Sequence, residues 1–218
     1  MVNKKSVKKK IAKRKKSVRK KVSTRGNNFC LRNYRLSWNY IKESKNFIWA
    51  IVGVFLLFAF VGFFIPASPE LEETIMNFLR QLLEKTKDFN QWEMTQFLFL
   101  NNLQSSFFGL LLGVVLGIFP VLSSMVNGYV LGFVAAKTVE SEGIFILWRL
   151  LPHGIFELPA VFISLGLGLK FGTFIFRKKK GKSFKDYLWN GLRVFIFIVI
   201  PLLVFAAIIE GALIFLFG

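Results

Sequence analysis

The chain has 218 residues, enough for one domain, and a net charge of +18 although 54% of its residues are hydrophobic. A soluble basic protein rarely combines these values, so charge and apolar sequence must be segregated along the chain. The single cysteine, Cys30, and single histidine, His153, exclude an intramolecular disulfide and leave a Cys/His zinc site without ligands.

Of the 30 Lys and Arg residues, 17 fall in residues 1–46 and 7 in residues 177–193. The N-terminal block is not a secretory signal, because no apolar core follows until Phe47 and no small-residue cleavage site follows Ile65. Residues 1–46 therefore read as a basic cytoplasmic tail, largely disordered to amphipathic, that attracts the anionic lipid headgroups of a bilayer. The run Lys8–Lys10 with Lys13–Lys16 has the look of a nucleic-acid signal. Beside long apolar segments, nucleic acid is disfavoured as a partner.

Residues 47–218 read as an all-α, polytopic membrane helix bundle. About 20 apolar residues are needed to cross a hydrocarbon core. Five segments qualify, at about 47–65, 97–119, 121–139, 150–176 and 194–217. Ile144–Leu151 is apolar but too short to cross and reads as an interfacial or re-entrant piece. Residues 66–93 carry six acids. Together with the two basic blocks, this places the N-terminus in the cytoplasm of a cell membrane and the C-terminus outside it. Within the acidic segment, Leu71, Ile75, Phe78, Leu79, Leu82 and Leu83 recur at helical spacing. Ser68-Pro69 stands before them, with acids at the start and Lys85 and Lys87 at the end. An extracytoplasmic amphipathic helix at 69–88 is expected, packed on the surface rather than forming a lid.

In the second span Gly109, Gly113 and Gly117 repeat every four residues, and the third span adds Gly128 and Gly132. Such stripes let helix backbones approach closely where burial from water no longer drives association. In the fourth span, Leu151-Pro152-His153-Gly154-Ile155-Phe156-Glu157-Leu158-Pro159 frames His153 and Glu157, which share a helical face, with two prolines. The prolines predict a broken or kinked helix facing the bundle interior. Glu210 stands in the last span, where a carboxylate must be paired, hydrated or protonated. The predicted topology brings Asn102, His153 and Glu210 into the same half of the membrane. With Glu157 they form a candidate intramembrane polar site or a hydrogen-bond cluster that sets helix register. No catalytic set, metal site or cofactor loop is recognisable. The expectation is a protein that is not an enzyme, with no cofactor and no metal.

Residues 97–212 resemble the stage II sporulation protein M family. The resemblance rests on Phe97 to Asn102, Gly117, Pro120, Asn127-Gly128, Gly132, the block Leu151 to Ala160, and Ala206 to Glu210. It implies five spans with a cytoplasmic N-terminus. In spore-forming bacteria it implies a protein of forespore engulfment that holds two cell-wall-degrading partners in a membrane complex, without catalysis of its own. The Lys-rich tail lies outside the family's pattern and points to a different host or partner. The expected partners are other membrane or envelope proteins, with a homo-oligomer left open. Two functions follow: a scaffold or membrane-remodelling subunit, or a small transporter or channel using Asn102, His153, Glu157 and Glu210.

Overall fold

A computed structural model describes the backbone of residues 29–145 and 151–217, and the side chains of 29–145 and 157–212. The tail up to residue 28, the His153 side chain, and most of the piece read as re-entrant lie outside the described residues. All regular structure among the described residues is helical. Helix α1 covers 29–43, and α2 covers Lys45–Phe64. They are followed by α3 at Pro69–Thr86, α4 at Gln91–Leu111 and α5 at Ile118–Glu142. Then come α6 at Leu151–Gly172, α7 at Lys180–Val194 and α8 at Ile200–Phe217. Five helical stretches are long and apolar enough to cross a membrane. Each overlaps one of the five expected segments, with ends up to seven residues apart in the first four and the last beginning much earlier, at Lys180.

Local chemistry explains most boundaries. Ser68 caps α3 by accepting from the Leu71 N–H, Pro69 occupies the first turn, and Glu70 and Glu72 face the helix dipole. Asn90 and Glu93 form a reciprocal capping box that starts α4 six residues before the expected span. That span was expected to run to Phe119 and stop at Pro120. Instead the chain reverses earlier, at Leu116 (φ 53°) and Gly117 (φ 71°), and Pro120 falls in the first turn of α5.

Two expectations about the prolines and the basic loop need correction. The helix α6 is continuous from Leu151 to Gly172 with Pro159 inside it, rather than broken at the motif. Pro152 sits in the first turn, where its missing N–H would have had no partner. Pro159 therefore forfeits only its own bond to the fourth residue back. The basic segment 177–193 is not a loop, since α7 occupies most of it and continues into α8. Pro201 disturbs that path: Phe195–Val199 widens into a π turn, with the Ile200 N–H donating to the Phe195 carbonyl.

The packing follows membrane logic. Leu56, Leu57, Phe60, Phe205 and Ile208 point outward, whereas glycines and serines are buried between helices. Helix α6 touches α2, α4, α5 and α8; α2 pairs chiefly with α5, and α4 with α6 and α8. One apolar cluster joins Tyr40 of α1, Leu110 of α4, Ala160 and Leu167 of α6, and Val194 through Leu203 of α7 and α8. Phe55 meets Phe162 edge to face at 5.0 Å between ring centres, tying α2 to α6.

Candidate functional site

The bundle has two chemically different ends. At one, α7 packs beside the C-terminal end of α6 through the Phe171–Phe184 ring contact, and the end of α1 joins them where Tyr40 meets Lys170. At the other, Glu72 of α3 pairs with Lys137 of α5 at 2.7 Å, and Glu140 lies 3.7 Å from the same ammonium.

Between the ends, the glycine stripes fix how the helices meet. A Cβ on Gly113 would strike the Gly168 backbone, and one on Gly172 would strike the Gly117 nitrogen. Gly109 faces the Leu165 side chain, and Ser164 Oγ donates to the Ser106 carbonyl at 2.7 Å. These pairings show that α4 and α6 run parallel in fixed register. A second seam joins α2 and α5: Gly128 lies against the Phe55 carbonyl, Gly132 against the Ala59 carbonyl, and Gly62 against the Tyr129 carbonyl. Ser124 Oγ donates to the Ile51 carbonyl at 3.0 Å along the same seam.

The register also sets the levels of the candidate polar residues. Glu210 is buried on α8, next to Gly211, whose face meets Thr95 of α4. Asn102 lies two helical turns along α4 from Thr95, half-buried. Glu157 is half-buried on α6, and neither it nor Glu210 lacks a partner. From the Ser106–Ser164 pairing, Asn102 stands level with the α6 turn that follows Glu157. The backbone of His153 belongs to the first turn of α6, one turn before Glu157. The four residues thus occupy three neighbouring helices over a depth of roughly 10 Å at 1.5 Å per residue. Among the described residues, no three Cys, His, Asp or Glu side chains gather to hold a metal.

A second polar cluster went unread in the sequence. Lys170, near the end of α6, is only 8% exposed, and its Nζ donates to Ser44 Oγ at 2.9 Å. Ser44 in turn donates to the Tyr40 carbonyl at 2.6 Å. The ammonium also lies 3.9 Å from the centre of the Tyr40 ring and 5.8 Å from that of Tyr187. This is cation–π geometry in a desolvated setting. The cluster pins the elbow between α1 and α2 to the base of α6. Tyr40 stands outside the crossing helices. Burial first, then the negative groups Tyr187, Glu43 and Asp186, raise its phenol above the usual range. The only sequence signal was a lone lysine inside an apolar, glycine-rich stretch.

No solved structure matches the chain. An uncharacterized protein of Methanocaldococcus jannaschii is 32% identical over 111 residues, covering 48% of this chain and 50% of its own length. The chain thus spans about half the length of that curated relative. The model of the Stage II sporulation protein M family matches residues 51–213, which takes in every membrane-crossing helix from the second turn of α2 into α8. With five such helices, and a match over most of its length, this membrane protein belongs to the Stage II sporulation protein M family.

Proposed function

We propose that the protein is a non-enzymatic scaffold or membrane-remodelling subunit, holding other membrane or envelope proteins in a complex. The observation that carries this reading is the construction of the bundle. Its two main seams are closed by backbone against backbone at Gly113–Gly168, Gly117–Gly172, Gly128–Phe55 and Gly132–Ala59. Helices in such contact leave no room for a solute between them and make a stiff frame. Outward-facing apolar residues on α3, such as Phe78 and Leu83, offer surface to lipid or a partner. The proposed orientation puts the basic end in the cytoplasm and α3 on the outer face, following the Lys/Arg asymmetry.

Transport is the second reading, and the burial of Glu210 in a crossing helix favours it. One pair of experiments separates them. Purification from native membranes in mild detergent, after in-cell crosslinking, should recover a membrane or envelope protein in stoichiometric amount. Reconstituted vesicles should then show no ion or solute flux above protein-free vesicles. Flux that Glu210→Gln abolishes while the fold survives, with no partner recovered, would overturn the scaffold reading.

A further inference from the structure

Helix α1 is fastened by one edge. Asn33, Ser37, Tyr40 and Ser44 are buried, spaced so that they form a single stripe. The opposite side carries Leu31, Tyr34 and Trp38, which are 69%, 54% and 49% exposed, with Arg32 and Arg35 between them. Among the described residues, these five line an open groove of about 820 Å³. Lys42 leans on the Trp38 ring at 5.9 Å, adding a third cation to the same helix. A single residue, Ser44, separates α1 from the crossing helix α2.

We infer that this groove is a binding site for an anionic phospholipid, with Arg32 and Arg35 on the phosphate and Leu31, Tyr34 and Trp38 against the upper acyl chains. Guanidinium pairs recognise phosphate by paired, charge-assisted N–H donors. Tyr and Trp beside them suit a layer that is apolar on one side and wet on the other. Residues 1–25 hold 13 Lys and Arg and no acid, the wrong charge to complement Arg32 and Arg35. A second copy in the same membrane does not fit either. The acid-rich helix α3 lies at the opposite end of the bundle, beside Lys137, and so on the opposite membrane face. The inference rests on the membrane location and stands whether or not the scaffold reading does.

The test is native mass spectrometry of the full chain in mild detergent, titrated with dioleoyl phosphatidylglycerol or dioleoyl phosphatidylcholine. Wild type should hold the glycerol lipid about tenfold more tightly, since each surface cation adds attraction to an anionic headgroup. Arg32→Gln with Arg35→Gln should remove most of the preference, and Arg32→Lys with Arg35→Lys should keep most of it. Trp38→Ser should weaken retention of the glycerol lipid, and Lys8→Gln with Lys9→Gln and Lys10→Gln should lower the preference far less than the arginine pair does. Both arginines are exposed, so the thermal midpoint should not move in these variants. Equal retention by wild type, or a preference that the glutamine pair lowers no more than the Lys8–Lys10 substitutions do, would overturn the inference. So would complete displacement by millimolar inorganic phosphate, which marks a free-anion site, or preferential capture of an acidic peptide over the lipid.

Discussion

Glycine at position 113 and glycine at position 53 look alike in an apolar sequence, yet their surroundings are opposite. A Cβ at Gly53 would meet nothing within 4 Å, whereas one at Gly113 would enter the Gly168 backbone, which cannot swing aside as a side chain can. Gly113→Ala should therefore cost about 1–3 kcal/mol or more, the range for overpacking. Gly53→Ala should be neutral or stabilise by roughly 0.5–1 kcal/mol through helix propensity. Thermal stability in detergent, followed by size-exclusion chromatography, reads both. Equal effects would refute the seam.

Tyr40 gives a pH signature at the same scale. Its phenol is raised in the fold, so the unfolded chain loses this proton first. The contribution of Tyr40 to stability is complete below about pH 10, the ordinary phenol value, and is lost as pH rises beyond it. Tyr40→Phe should flatten the decline in thermal midpoint above about pH 10 relative to wild type. An unchanged slope would count against a buried phenol at this position. Spacing alone disclosed that Gly109, Gly113 and Gly117 share a stripe. It could not disclose that Lys170 is buried, because its partners Ser44 and Tyr40 lie more than a hundred residues away in sequence.

Helix termini show the same divide between local and distant causes. Ser68-Pro69 with its acids announces α3, because every group involved lies within one turn. The run from Leu151 to Pro159 misleads as a break, because a proline in a first turn and a proline in mid-helix look identical until the start of the helix is known. The reversal between α4 and α5 was equally hidden. Leu116 takes a left-handed conformation that costs a side chain about 1–2 kcal/mol, and it does so while 51% exposed. Leu116→Asn should stabilise the bundle by about 1 kcal/mol, since asparagine accepts that geometry and little burial is forfeited. A fall in thermal midpoint would mean that the leucine makes a contact worth more than the strain.

Viewed whole, the molecule sorts its charge to its ends, which is why the number of crossings could be read from sequence while the seams between them could not. The proposed orientation is checked by labelling intact cells with an impermeant thiol reagent. In a Cys30→Ser background, cysteine at Glu73 should react and cysteine at Lys180 should not. The opposite pattern would invert the orientation and move the lipid groove to the other leaflet.

The pairing of the crossings has a consequence for biosynthesis. Helix α2 packs mainly on α5, and Ser124 reaches Ile51 across 73 positions of sequence, while α4 packs mainly on α6 and α8. Successive crossings are thus poorly suited as mutual partners. During synthesis α2 can wait in lipid, being without charge between Phe47 and Ile65. The α4 helix is the least apolar crossing and carries two polar residues that the fold covers, Asn102, half-buried, and Ser106, buried. It must enter the bilayer before the surfaces that cover those groups have been translated. Once α5 has emerged, α2 and α5 can join, while α4 still lacks its main partners. The packed face of α4 is completed only once α6 and α8 have both been made.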